Sequence, residues 1–490
     1  MKSASKKIKL IQQNLHFTTD LKVREVQFFD ADLKIVYLAS LTDKQILNDS
    51  IVQPLLEFET EEDISGNIAT FIQENVLYNS EIEEQTDVDI VTDELLKAKA
   101  VIIVDGCDKM LLCDAEKIVV RPIQEPPSSA VIKGPREGFN ESIKYNLSLI
   151  RHKLPTENLV VDNFSVGKYT KTQVAVIYLS EIADKNVVKE VERRISKINI
   201  DGIIDSYYIS AYLQSKPMSI FKQVGDTEKP DILVGKMLEG RIAILVDGSP
   251  IALTVPFILL EDLQESDDYY SQPVKVTFLR ILRLIGVVLA VLLPGTYVAI
   301  QIYHYKILPT EFLITIMDTT QGIPFTPFTE VLFIVLLFEI LYEANLHMPQ
   351  YMGMALSIVG ALILGETAVN AGLVSPPTVM IVALSGLTFY VVPNQASQFS
   401  MLRLLFIFAG ATLGLFGVLA VAVWTVSYLC SFDTYESAYL APVAPYISTD
   451  MKDFLVKAPL QKMKTRPSSI ANNKRNRKRQ KWKFHTGNFQ

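Results

Sequence analysis

Leu284-Ile285-Gly286-Val287-Val288-Leu289-Ala290-Val291-Leu292-Leu293-Pro294-Gly295-Thr296-Tyr297-Val298-Ala299-Ile300 decides the fold of this 490-residue chain. The stretch carries no charge, and a hydrocarbon core about 30 Å thick needs about 20 apolar helical residues to span it. Before about residue 277, apolar and charged residues alternate as in a water-soluble protein. From Leu284 to Met451 only Lys306 and Arg403 carry a basic side chain. The solvent therefore changes partway along the chain. The fold class is an α/β soluble head of two related subdomains followed by an all-α polytopic membrane domain.

So long a chain exceeds one core. Positive mean hydropathy with 21% charged residues means that the two kinds of residue are segregated along it. A net charge of −7 gives no general nucleic-acid signature. The exception is the basic run Lys474-Arg475-Asn476-Arg477-Lys478-Arg479-Gln480-Lys481-Trp482-Lys483, read as an arm held by anionic membrane lipids rather than by nucleic acid. Cys107, Cys113 and Cys430 form neither a CxxC pair nor a metal spacing, so they are expected as free buried thiols. The N-terminal stretch lacks the apolar region of a signal peptide.

Within the head, Lys34-Ile35-Val36-Tyr37-Leu38 leads through Asp43-Lys44 into a helical pattern. Val174-Ala175-Val176-Ile177-Tyr178-Leu179 does the same through Asp184-Lys185 about 141 residues later. Val101-Ile102-Ile103-Val104-Asp105-Gly106 likewise recurs as Ile242-Ala243-Ile244-Leu245-Val246-Asp247-Gly248, each before a second apolar run. Asp-Gly between two strand-like runs signals a hairpin, because Gly tolerates positive φ. The predicted organisation is an N-terminal tail (1–19), a first α/β subdomain (20–125), a linker and helix (126–159) and a second α/β subdomain (160–270). A membrane domain (277–435) and a basic cytoplasmic tail (452–490) follow.

Turn chemistry accounts for Asp105 and Asp247. Gly167-Lys168 lacks Walker spacing, no G-x-G-x-x-G follows a strand, and the five histidines are scattered. The expectation is a protein with no catalytic residues, no cofactor and no metal. Gly134, Pro135 and Gly138 suit a hinge or a solvated connector, with Asn140 or Ser142 capping the helix beyond it.

Five hydrophobic blocks mark the membrane domain: 280–303, 325–345, 352–373, 377–393 and 402–430. Pro294-Gly295 is expected to kink or break the first helix, which lipid tolerates only where protein or water satisfies the freed carbonyls. Lys275, Arg280 and Arg283 before the blocks and Lys452, Lys457, Lys462 and Lys464 after them place both termini in the cytoplasm. An even number of crossings then makes one block re-entrant. The short, proline-flanked 377–393 is the candidate. Gly410, Gly414 and Gly417 are read as packing positions.

Acids inside the blocks mark function, since a carboxylate in a span costs at least ~2.5 kcal/mol. Glu330, Glu339 and Glu343 lie in the second block, the latter two one turn apart on one face, either lining an ion path or reaching headgroups near the block's end. In the third block Gly353, Ser357, Ala361 and Gly365 form a ridge for helix packing. Opposite it lie the pore-lining candidates Ala355, Val359, Leu362, Ile363, Glu366 and Asn370. Glu366 would attract cations beside an apolar constriction at Val359 to Ile363. Its competing reading is a protonated acid bonded to a neighbouring helix.

Several of these motifs resemble a known family. Gly134-Pro135-Arg136-Glu137-Gly138-Phe139, Asp201-Gly202-Ile203-Ile204-Asp205-Ser206, residues 239–256 (EGRIAILVDGSPIALTVP) and Leu293-Pro294-Gly295-Thr296-Tyr297-Val298-Ala299 are similar to the A subunit of GerA-type spore germination receptors. So are Phe338-Glu339-Ile340-Leu341, Ala371-Gly372-Leu373-Val374-Ser375-Pro376 and Val392-Pro393-Asn394. SpoVAF-type proteins share this plan. The resemblance implies a multi-pass protein of the endospore inner membrane with a GerB-type transporter-like subunit and a GerC-type lipoprotein subunit as partners. It also implies a homo-oligomer forming or gating a cation-conducting pore that opens on nutrient binding. A non-conducting scaffold for the transporter-like partner is the alternative. The family commonly reads Gly-Gln-Ala-Ala-Val-Glu-Ala-Gly where this chain has Gly365-Glu366-Thr367-Ala368-Val369-Asn370-Ala371-Gly372, which moves the acid one turn along the same face.

Overall fold

The computed structural model describes residues 3–29, 31–59, 68–79, 82–115, 134–346 and 365–473. Helix α1 (Ala4–Asn14) precedes β1 (Leu21–Phe28) and β2 (Ala31–Leu38). Beyond a helical stretch follow β3 (Ile82–Gln85), β4 (Lys99–Val104) and β5 (Met110–Asp114), in the antiparallel order β1-β2-β4-β5-β3. Helix α2 (Ile143–Lys153), β6 (Leu159–Val166), β7 (Thr172–Leu179), α3 (Lys185–Ser196), β8 (Gly225–Thr227), α4 (Pro230–Glu239), β9 (Ile242–Val246) and β10 (Ala252–Val255) repeat the plan. Their order is β6-β7-β9-β10-β8. Leu33 pairs with Val104 and Val174 with Val246, so the register repeats as well. The duplication read from sequence is structural.

Central strands β4 and β9 are apolar at almost every position because elements cover both faces of each sheet. Ala100, Ile102 and Val104 enter one core while Val101 and Ile103 enter another; Ile242, Ile244 and Val246 are divided in the same way from Ala243 and Leu245. Asp43 and Asp184 cap the helices that follow, accepting from the backbone N–H of Gln45 and Asn186, each at 2.7 Å.

The repeat begins earlier in each unit than the sequence indicated. Ala4, Ile8, Ile11 and Leu15 of the supposed N-terminal tail are buried against the first sheet. Helix α2, read as part of a linker, packs on the second sheet through Ile143, Leu147 and Ile150. Helix α1 escaped notice because only one in three of its residues is apolar, and its buried Lys7 donates to the carbonyls of Cys107 and Asp108. The two Asp-Gly turns explain the equivalence. Asp105 Oδ1 accepts from the Ala4 N–H at 2.8 Å and Asp247 Oδ1 from the Ile143 N–H at 3.1 Å, so each turn caps its unit's first helix. The side chains of Asn140 and Ser142 do not cap α2; Asn140 instead accepts from the Ser142 N–H. Phe139 is buried in the second unit, which ties down the predicted hinge. Each of Asp105→Ala and Asp247→Ala is expected to cost about 1 kcal/mol, read as a lower denaturant midpoint of the head. Equal midpoints for both variants and the parent would remove the capping role. Cys113 is buried, with its thiol pushed up to about 12 by desolvation, but Cys430 is exposed, contrary to the expectation of three buried thiols.

The helical domain contains α5 (Pro273–Tyr303), α6 (Thr310–Thr320), α7 (Pro327–Leu346), α8 (Pro376–Thr388) and α9 (Ala396–Cys430). Helices α5 and α9 are each long and apolar enough to cross a membrane. Of the kink or break predicted at Pro294-Gly295, a break is absent: α5 runs on through Pro294.

Helix α8, with the 3-10 turn Phe389–Val391 that extends it, runs beside α5 from Thr378, 3.2 Å from the Tyr297 hydroxyl, to Val391, whose side chain would meet a Cβ on Gly286 at 3.5 Å. It ends at the head, where Gln395 Nε2 donates to Asp262 at 2.7 Å. The 377–393 block thus runs one way along α5 toward the head, and a sharp reversal lies in α9. Gly414 has φ 62° and ψ −147°, and a Cβ on Gly417 would run into the Ala409 carbonyl, eight residues earlier. A straight 35-residue helix is about 50 Å long. Yet Gln395 before it and Ser431 after it both bond to the second head unit, the latter accepting from Lys216 Nζ at 2.9 Å. Two helical arms, 396–413 and 415–430, meet in a hairpin whose tip at Gly414 lies against Tyr303 and His304, at the far end of α5.

After α9 the chain wraps the second unit. Thr434 donates to the Phe257 carbonyl at 2.7 Å, Tyr435 to Leu213 at 2.8 Å, and the Asn473 N–H to Ile182 at 2.8 Å. The region read as a basic tail is thus folded through residue 473. The terminal basic run lies outside the described residues.

Candidate functional site

Proline 294 has no N–H to give to the Ala290 carbonyl four residues earlier. That carbonyl accepts instead from the Ser385 hydroxyl of α8 at 2.8 Å. The same hydroxyl accepts from Arg403 Nη1 at 3.2 Å. Arg403 Nη2 pairs with the Glu339 carboxylate of α7, which also accepts from the Ser400 hydroxyl. The Arg403 guanidinium lies 4.5 Å from the Phe389 ring centre and is only 2% exposed. One buried cation thus joins α5, α7, α8 and the first arm of α9. The next residue, Gly295, lets that arm approach: its Cβ would stand 2.5 Å from the Phe406 carbonyl oxygen, and one on Gly410 would strike the Gly295 carbonyl.

A second polar cluster lies farther from the head. Glu330 is 1% exposed and accepts both the N–H and the hydroxyl of Ser375, at the start of α8. The Ser375 hydroxyl lies 3.0 Å from that of Thr378, which is 3.2 Å from the Tyr297 hydroxyl; Gln301 donates to Tyr297 at 2.6 Å. The carboxylate thus stands at the N-terminal end of α8.

At the head-facing end, Asp268 takes Arg280 at 2.9 Å and Arg283 at 2.8 and 3.0 Å. Arg280 also donates to Asp453 and to the Phe454 carbonyl, so the start of α5 grips the chain that returns after α9. Beside this joint, burial holds the Asp262 carboxyl above its ordinary range, partly offset by Lys222. Burial would raise its neighbour Glu261 too, but Lys236 and Arg241 hold that carboxyl below its ordinary value.

Of the site residues named from sequence, Glu330 and Glu339 are engaged within the chain, in separate clusters. Glu339, expected at headgroups or an ion path, faces Arg403 between helices. Glu343 is exposed. Glu366 and Asn370, on the helical turn 365–370, are also exposed, while Ala368 between them is buried against α5 and α7. Ala355, Val359, Leu362 and Ile363 lie outside the described residues. Sequence reasoning missed Arg403 and Ser385. Arg403 had a signal, being one of two basic residues in the apolar half, but nothing local named its acid.

A two-unit α/β head joined to a helical membrane domain with buried charge at its centre defines the class of protein. The Bacillus/Clostridium GerA spore germination protein profile matches residues 9–469, and the chain belongs to that family. It is 34% identical over 474 residues to spore germination protein KA of Bacillus subtilis (strain 168), across 96% of this chain and 87% of that one. It is 30% identical over 467 residues to spore germination protein GerLA of Bacillus cereus, across 94% of each. Its head is similar to the crystal structure of the N-terminal domain of the A subunit of the Bacillus megaterium spore germinant receptor GerK3. That likeness has 27% identity and a TM-score of 0.41, and covers 52% of this chain and 95% of the other.

Proposed function

We propose that this chain is the A subunit of a nutrient-responsive germination receptor in the endospore inner membrane, where its copies oligomerise and form or gate a cation-conducting path. The observation that carries this reading, beside family membership, is the exposure of Glu366 and Asn370 on the helical domain. A carboxylate facing lipid costs at least ~2.5 kcal/mol. Gathering several copies around water removes that cost and gives Glu366 a role in attracting cations.

Both ends of the helical domain adjoin the head, and the basic residues flanking it support a head and C-terminus on the spore-core side. A transporter-like subunit that recognises the nutrient and a lipoprotein subunit complete the receptor. The chain performs no chemistry of its own in this reading. The rival, a non-conducting scaffold, draws support from Glu330 and Glu339, whose carboxylates are engaged within one chain.

Purified full-length protein in liposomes separates the two. A cation-selective flux that loses selectivity severalfold in Glu366→Gln supports the channel. An oligomer that passes no ions with or without its partner subunits leaves the scaffold.

A further inference from the structure

Residues 214–220 form a loop beside the last turn of the second arm of α9. Lys216 Nζ donates to the carbonyl of Ser431 at 3.1 Å and to its hydroxyl at 2.9 Å, just past the end of that arm at Cys430. Its ammonium also lies 4.3 Å from the Phe432 ring centre. Phe221, at the end of the loop, packs 6.1 Å from Tyr428, on which Trp424 stacks at 5.5 Å. Trp and Tyr at a helix end mark the headgroup level of a bilayer. The loop therefore sits at that level.

Its tip is apolar and held outward. Met218 is 97% exposed and Ile220 is 42% exposed. Behind them the buried Gln223 side chain accepts from the Ser215 and Lys216 N–H groups at 3.0 and 2.9 Å and donates to the Lys216 carbonyl at 2.7 Å. The Phe221 N–H donates to the Ser219 hydroxyl at 3.1 Å. These bonds fix the backbone, so Met218 cannot fold back onto the head to escape solvent.

From this we infer that the 214–220 loop is a membrane-dipping wedge, with Met218 and Ile220 entering the boundary between headgroups and acyl chains. The inference rests on α9 crossing the bilayer. Lys216 is already engaged with Ser431, so attachment comes from apolar burial and depends little on lipid charge or salt.

The test uses full-length protein in nanodiscs with lipids brominated near the top of the acyl chain. The chain has two Trp, Trp424 and Trp482. In a Trp424→Phe, Trp482→Phe background, Met218→Trp should lose emission roughly twofold, as expected of an indole about 5–10 Å into the interface. It should resist aqueous acrylamide, in neutral and anionic discs alike. Ile220→Trp carries the same expectation should Met218→Trp fold poorly. A Trp482→Phe chain reports Trp424 alone. Quenching of Trp424 by lipid, with the loop indole open to acrylamide, overturns the wedge and leaves the crossing intact. A loop indole shielded from both quenchers means that a second copy covers it, which also overturns the lipid assignment. If brominated lipid quenches neither Trp424 nor the loop indole, the crossing itself fails.

Discussion

Arg403→Ala is expected to destabilise the helical domain by about 3 kcal/mol, the low end for a broken buried pair, because the Glu339 carboxylate left unpaired is only part-buried. Glu339 would lose its only cation among the described residues, and Ser385 would lose a donor while still bound to the Ala290 carbonyl. The readout is the thermal midpoint of detergent-purified protein together with its recovery from spore membranes. The double variant Arg403→Met, Glu339→Met should recover most of the loss, since replacing both members of a buried pair with apolar side chains is often neutral. Ser385→Ala should cost less, about 1–3 kcal/mol, by stranding the carbonyl that Pro294 leaves free. An Arg403→Ala midpoint equal to that of the parent would show that the ion pair does not hold these helices together.

Gly414→Val should be comparably severe. With φ 62° and ψ −147°, Gly414 occupies a region almost closed to other residues, at a cost of about 1–3 kcal/mol for the backbone alone. A Cβ there would also stand 2.9 Å from His304 Cε1 and 3.1 Å from Tyr303 Cδ2, forcing both rings away from the hairpin tip. Membrane-impermeant thiol labelling tests the geometry directly, in a chain lacking Cys107 and Cys113. Ser397→Cys and the native Cys430 should label from the head's side of the membrane, and Thr412→Cys from the opposite side. Labelling of positions 397 and 430 from opposite sides would mean a straight α9. Gly414→Val should blur the pattern and lower the amount of inserted protein.

The head was legible at the level of repeats. Strand runs at a constant offset and paired Asp-Lys caps gave the duplication, because each is a local pattern. Helix α1 was not legible, since its apolar residues are sparse and it is held partly by Lys7 and by Asp105, a residue 101 positions away. The same distance problem hid the membrane domain's architecture. Pro294 and Gly295 read as a kink or break when taken alone, yet Ser385 repairs the missing bond and Gly410 fits the space that Gly295 leaves. Gly414 looked like its neighbours Gly410 and Gly417, because a fold-back is encoded in torsion angles that composition does not display.

Sequence alone settled which solvent each half of the chain meets, since transfer free energy accumulates residue by residue and needs no partner. It settled the duplicated head on similarly local grounds. Only the tertiary structure decided which acid faces Arg403, 64 positions from Glu339, and that the last apolar run returns to the head. Inside lipid a polar group must find its partner within protein, and which partner it finds is set by the packing of distant helices.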